Sequence, residues 1–333
     1  MHTTFEGSWI HQIVKVYKGK QYIDIEYTVG PIPIDDGVGK EVVNLFRTGI
    51  SNNGTFFTDS NGREFMKRER SQRQTWDMEE FEPVAGNYYP VNAAIFIEDD
   101  HSSLAVLTDR TQGGSSLQDG SIELMVHRRI IKDDSRGVDE ALNETTGIMP
   151  YPPFGDASRL GEGLIVTGTH RIVIGDKRSG ARVARSEMDQ MFSPTYTFAI
   201  KSSAEELFAR AANKNLSALV HQLPDNIQLL TVKLISSDEN GKKSILLRLG
   251  HAYGKGECNA NSDTATVDIS ALFRGFRLIE FIEKTLTGNQ DKADWNQNKM
   301  HWFEKKDIVA NANPIITMNP MEVKTFEIIL EPK

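Results

Sequence analysis

Apolar and polar residues alternate with a period of two along much of the chain. The clearest run sets Ile23, Ile25, Tyr27 and Val29 against Asp24, Glu26 and Thr28, the signature of a half-buried strand. His11 to Tyr17 pairs with it across Lys18-Gly19-Lys20, which predicts a hairpin. The Pro- and Gly-punctuated stretch Gly30 to Lys40 is a loop, and Glu41 to Ile50 a further strand. Asn61-Gly62 marks a tight turn flanked by Phe56, Phe57 and Phe65. The mixed Lys, Arg and Glu run from Arg63 to Arg73 reads as a solvated strand face. Val91 to Ile97 and Leu104 to Leu107 form another hairpin. A Gly-Gly-Ser-Ser corner at Gly113 to Ser116 then leads into the alternating strand Ser121 to Val126.

After a long loop from Asn143 to Gly163, strand character returns over Leu164 to Ile174. Ser202 with Glu206, followed by Leu207, Phe208, Ala211 and Ala212, predicts a helix running to about Leu219. Strands resume at Ile227 to Ile235, Ser244 to Leu249, Thr264 to Ile269 and Lys324 to Leu330. Leu272 to Leu286 fits either a strand pair or a short helix. The expected architecture is all-β. A large sandwich domain spans 1–200, a partly helical connector 201–225, and a smaller β-sandwich 226–333.

At 333 residues the chain is too long for one small core. Its formal net charge of −8 argues against a nucleic-acid partner, because a phosphate backbone calls for a basic face. The single Cys258 excludes an internal disulfide and reads as a small buried or half-buried thiol, with a bridge to another chain as the sharper alternative. The N-terminus has no apolar signal region, and no run approaches the ~20 apolar residues needed to span a bilayer. Asn53, Asn143 and Asn215 head glycosylation sequons, which matter only if the chain enters the secretory pathway.

No complete catalytic motif is present, and no two histidines stand at metal-ligand spacing. The chain is therefore expected to hold no metal and no cofactor of its own. The acidic pairs Asp35-Asp36, Asp99-Asp100 and Asp133-Asp134 fit solvated turns, since neighbouring residues on a strand point to opposite faces. Asp133-Asp134 stands apart because Arg128, Arg129 and Arg136 flank it. Such an Arg–carboxylate lattice is either structural or a means of positioning sugar hydroxyls, given the planar fork of arginine.

Several long segments resemble the C-terminal half of class II α-mannosidases of glycoside hydrolase family 38, in its lysosomal and vacuolar branch. They are GGSSLQDGSIELMVHRR followed by DDSRGVDE, VAGNYYPVNAAIFIED, YKGKQYIDIEYTVGPIPIDDGVGKEVV, LPDNIQLLTVKL and LLRLGHAYGKGEC. The resemblance implies a mutarotase-like β super-sandwich followed by a smaller β-sandwich. It implies hydrolysis of terminal α-linked mannose with retention, through a covalent glycosyl-aspartate beside a zinc ion. The matching positions of this chain include neither the nucleophile nor the zinc ligands, which the resemblance places in an upstream catalytic half. That half is then the implied partner, with mannose glycans as substrate, a lysosomal, vacuolar or secreted location reached through an upstream signal peptide, and possible homo-oligomers.

By the same resemblance, Arg129 and Arg128 bind substrate or order the cleft wall, Arg129 through a pair with Asp134. Asp133, Asp134 and Arg136 stand behind them, and Gly113 and Gly114 set the backbone at the corner. The segment Gly175 to Ser193 is more basic than the family pattern, a departure that bears on its local loop contacts. The alternative function is a freestanding glycan-binding or scaffolding β module without activity.

Overall fold

A computed structural model describes residues 2–4, 7, 9–135, 137, 139–146, 161–193, 195–196, 217–257, 260–300 and 314–333. Cys258, Arg136, Asn215, the stretch 201–216 of the expected connector and helix, and 147–160 of the long loop lie outside the described residues. The chain forms two compact units, Met1–Pro194 and Thr195–Lys333. The class is all-β, with several antiparallel sheets.

The first unit begins with β1 (His2–Thr4), β2 (Ile10–Val16), β3 (Tyr22–Val29), β4 (Lys40–Arg47), β5 (Thr55–Asp59) and β6 (Phe65–Glu69). It continues with β7 (Tyr89–Val91), β8 (Ala94–Glu98), β9 (Ser102–Thr108), β10 (Gln112–Ser115), β11 (Ser121–Arg129) and β12 (Val166–Asp176). An eight-stranded sheet runs β1-β2-β3-β12-β9-β8-β5-β6, and a four-stranded sheet runs β4-β11-β10-β7. The alternating run at Ile23 pairs as expected, with Val16 opposite Ile23 and Ile10 opposite Val29.

Alternation decides which side chains fill the space between the sheets. Ile95, Ile97 and Val106 from the large sheet meet Val91, Ile122 and Leu124 from the small one, all fully buried. Gly113 and Gly114 are required here for space rather than for backbone geometry, which corrects the expectation. A Cβ on Gly114 would lie 2.7 Å from Val91 Cγ2, and one on Gly113 would lie 2.9 Å from Met125 Sδ. Neither glycine has the left-handed conformation that glycine alone adopts freely.

The other face of the large sheet carries a helix, α1 (Gly180–Phe192), where a basic loop was expected. Ala181, Ala184 and Met188 recur at three- and four-residue spacing and pack on Phe96, Ala105, Leu107 and Val173. Its first residue must be glycine, because a Cβ at Gly180 would stand 2.2 Å from the Phe96 ring. Two of its charged residues, Arg185 and Glu187, find partners on the sheet. Buried Arg185 stacks 4.7 Å from the Phe65 ring centroid, and Arg171 of β12 pairs with both Asp24 and Glu187.

The second unit contains β13 (Ile227–Ser237), β14 (Lys243–His251), β15 (Ala265–Asp268), β16 (Phe276–Lys284), the short helix α2 (Lys292–Asn298), β17 (Ile315–Met318) and β18 (Val323–Pro332). A four-stranded sheet, β13-β14-β18-β16, faces the pair β15-β17. Ile245, Leu247, Leu249, Phe326, Ile328 and Leu330 alternate inward and meet Val267, Ile316 and Met318. The undecided stretch after Leu272 is strand β16, whose Phe281 stacks on Phe326 with centroids 4.8 Å apart. The helix α2 was not expected.

Candidate functional site: the arginine-bearing rim of the first unit

Strand β11 delivers the two arginines to one end of the sandwich. Its pairing with β4 slips between Met125 and His127, a bulge that resets which face each following side chain takes. Arg128, opposite Glu41, comes out exposed and has no hydrogen-bond or ion-pair partner among the described residues. Arg129, opposite Lys40, is half-buried and turns into the surrounding loops.

Three loops meet around Arg129. Its Nε donates to Asn143 Oδ1 at 2.6 Å, and its Nη1 donates to the Ile32 carbonyl at 3.1 Å. Gly163 leaves the guanidinium room, since a Cβ there would stand 2.7 Å from Nη1. The expected pair with Asp134 is not formed among the described residues. The planar fork instead bridges the 30–39 loop and the segment after β11, and its Nη2 has no partner among the described residues.

Backbone contacts fasten the same loops. Ile130 N–H donates to Leu142 O, Thr146 N–H to Glu162 O, and Gly30 N–H to Trp9 O. Gly30, at φ 119°, lies so close to the Leu164 carbonyl that a Cβ would approach it to 2.3 Å. His127 Nε2 donates to that carbonyl oxygen at 3.0 Å, which fixes its tautomer. Lys40 Nζ donates to Asp36 and to the carbonyls of Pro33 and Val38. The Lys40 ammonium holds the exposed Asp36 carboxyl below the usual carboxylate range, with help from the Val38 N–H.

Asp133 accepts a hydrogen bond from Ser135 N–H at 2.8 Å in a local turn, and Asp134 is exposed beside it. The other acidic pairs are turn elements. Asp99 accepts the Ser51, His101 and Ser102 N–H groups, and Asp100 pairs with Arg178. Of the sequon asparagines, Asn53 sits exposed in a left-handed turn at φ 49°, and Asn143 is exposed with its carbonyl oxygen engaged by Arg129. Among the described residues no three His, Cys, Asp or Glu side chains assemble as metal ligands.

A polar chain inside the first unit escaped sequence reasoning. Gln12 Nε2 donates to Asn44 Oδ1 at 3.1 Å, and Asn44 Nδ2 donates to His170 Nδ1 at 2.9 Å. His170 Nε2 donates to Gln112 Oε1 at 2.6 Å, and Gln112 Nε2 donates to Tyr27 Oη at 3.2 Å and to Met125 O at 2.7 Å. Each donor meets an acceptor in one direction, which requires a neutral imidazole. His170 is fully buried, and that burial pushes its pKa down to about 4. The chain ties the two sheets together, because Asn44 and Gln112 belong to the small sheet and His170 to the large one. It is a structural brace, with no opening to substrate among its contacts.

Among the described residues the rim presents a fixed guanidinium edge on Arg129, the exposed Arg128 and the neighbouring carboxylates of Asp133 and Asp134. Such an array donates and accepts hydrogen bonds to hydroxyls. It supplies no nucleophile poised beside a base.

Residues 1–136 match the family model "Glycosyl hydrolases family 38 C-terminal domain". The chain is 38% identical over 335 residues to the lysosomal alpha-mannosidase of Bos taurus, covering 98% of this chain and 31% of that protein. It is 40% identical over 334 residues to the lysosomal alpha-mannosidase of Felis catus, with the same coverage of 98% and 31%. An alpha-mannosidase of Arabidopsis thaliana is 39% identical over 331 residues, covering 96% and 31%. The chain thus spans about a third of the length of these relatives. A solved alpha-mannosidase from Enterococcus faecalis V583 superposes with a TM-score of 0.53 at 14% identity, covering 96% of this chain and 28% of that one, a likeness of fold.

Proposed function

The chain belongs to glycosyl hydrolase family 38, as a counterpart of the C-terminal part of its α-mannosidases, and on that premise we propose that it is the non-catalytic portion of an α-mannosidase. The observation that carries the reading is identity near 38% along 98% of the chain to proteins of which it spans 31%. In this reading the nucleophile and the zinc site belong to the remaining part of the enzyme, which cleaves terminal α-linked mannose with retention. A zinc ion bound there would polarise the sugar's hydroxyls.

The chain's own residues build one wall of the cleft. Arg129, clamped by Asn143 and Ile32, presents its Nη2 edge to a sugar hydroxyl at a fixed angle. Preorganisation of this kind avoids the cost of ordering a long side chain during binding. Arg128 adds an exposed second donor, and Asp133 and Asp134 keep the rim from becoming a purely cationic, phosphate-selective surface. The names of the relatives support a lysosomal or vacuolar location. No helix among the described residues is long and apolar enough to cross a membrane. With exposed side chains, Asn53 and Asn143 are the acceptors that such a route would offer to glycosylation.

The chain by itself is expected not to hydrolyse an aryl α-mannoside, whereas adding the remaining polypeptide restores turnover. Release of the aryl group, followed by absorbance, checks this. Turnover by the chain alone, or full turnover by the remainder without it, would overturn the reading.

A further inference from the structure

The second unit contains a cleft of about 640 Å³ that no part of the functional reading uses. Its size is ordinary for a small-ligand site, roughly 300 to 1,000 Å³. It lies between the end of β16, the following turn and α2. Trp295 forms one side and is 37% exposed, a large aromatic surface left open to solvent. Asn289, Gln290, Asp291, Asp294, Asn298 and Lys299 line the rest, over Lys284.

The floor is rigid before any ligand arrives. Lys284 Nζ bridges Asp291 at 2.7 Å and Glu327 at 3.0 Å, and both hydrogen bonds raise its pKa. Arg248 donates to the carbonyls of Leu286 and Thr287, and Thr325 Oγ1 also donates to Leu286 O. Asn289 Oδ1 accepts the hydroxyls of Thr285 and Thr287, so the turn is closed by its own side chains. The Lys292 and Lys299 ammonium groups stand 5.2 and 4.8 Å from the Trp295 ring centroid and orient the indole.

From this arrangement we infer that the Trp295 cleft binds a neutral pyranose unit of an oligosaccharide. A pyranose has one apolar face of C–H groups and a belt of hydroxyls that both donate and accept. The cleft matches both halves: one aromatic platform, amides that donate and accept at Gln290 and Asn298, the remaining Nδ2 donor of Asn289, and an acceptor at Asp294. A phosphate or carboxylate ligand is disfavoured, because Asp294 and Asp291 line the cleft beside its one further cation, Lys299, whose ammonium lies over the indole, and Lys284 is already neutralised by two carboxylates. A purely apolar ligand would find a single ring and would bury the amides unpaired.

The test is calorimetric titration of the 333-residue chain with mannopentaose and, in parallel, with cellopentaose. Saturable binding of either sugar, with a Kd on the order of 0.1 to 1 mM, is expected, since a shallow single-platform site gains only a few kcal/mol. Trp295→Ala is expected to weaken that binding by about tenfold or more, corresponding to at least about 1.4 kcal/mol. Asn298→Ala, at an exposed position, is expected to weaken it severalfold and guards against a general effect of losing the indole. No saturation up to about 10 mM of either sugar, or affinity unchanged in both variants, would overturn the inference. Turnover plays no part in this readout, so its failure is separable from failure of the mannosidase reading.

Discussion

Lowering the pH from 7 to 4 is expected to remove about 3 kcal/mol of stability from the first unit through His170 alone. The imidazole is fully buried, accepts from Asn44 and donates to Gln112. A proton on Nδ1 would turn that acceptor into a second donor facing the Asn44 amide. Burial therefore pushes the folded pKa from 6.5 down to about 4, opposed weakly by Asp109 and aided by Arg110. Above pH 6.5 both folded and unfolded imidazoles are neutral, and the full stabilisation is present. Between 6.5 and 4 the unfolded chain binds the proton first, so stability falls with pH at up to about 1.4 kcal/mol per unit. Below 4 both states are protonated and this group adds no further loss.

Other groups titrate nearby. Asp99 is held low by backbone N–H groups led by that of Ser51, and Asp119 by the Gly54 N–H and Arg70. They are the same in a His170→Gln variant, so the difference between the two proteins isolates the imidazole. Urea denaturation at pH 7 and pH 4 should show a pH-dependent loss about 3 kcal/mol larger in the parent than in the variant. Equal losses in the two proteins would show that the imidazole does not titrate against folding.

Phe326→Ala is expected to cost about 3 to 5 kcal/mol in the second unit. Phe326 is completely buried at the centre of β18, between β14 and β16. It stacks on Phe281 and belongs to the cluster formed by Leu247, Val267, Ile316 and Met318. Truncation removes its transfer free energy and leaves a cavity that paired strands on both sides prevent from collapsing. Thermal and urea unfolding measure the loss. A cost below about 1 kcal/mol would mean that this core relaxes freely, contrary to the packing described.

How much of this was legible beforehand depends on sequence distance. The β2–β3 hairpin was readable because alternation and a Lys-Gly-Lys turn are local signals. The inward positions Ile122 and Leu124 were readable for the same reason. Helix α1 was misread because the four basic and three acidic residues of Gly175 to Ser193 drew attention away from Ala181, Ala184 and Met188. Their spacing was the available signal, but the burial of Arg185 over Phe65 depends on a strand more than a hundred residues away.

The polar brace was illegible in the same sense, since Asn44 and His170 stand 126 positions apart. Arg129 was singled out from its neighbours in sequence, yet its actual partners are Ile32, 97 positions away, and Asn143. An arginine's candidate partners are many, and only the fold selects among them. The Trp295 cleft arises from a short helix whose seven residues carry no clear apolar stripe.

The most direct test of the account is the kcat/KM of the combined enzyme on a mannose-terminated oligosaccharide, with Arg129 replaced by Ala and by Lys. Arg129→Ala removes the loop clamp and, in the proposed role, a charged hydrogen bond to substrate with it. The expected fall is roughly 10- to 100-fold, with partial recovery in Arg129→Lys, which keeps the charge but not the fork. Unchanged kcat/KM in Arg129→Ala, with both units still folded by circular dichroism, would contradict the claim that this rim forms a wall of the mannose-binding cleft.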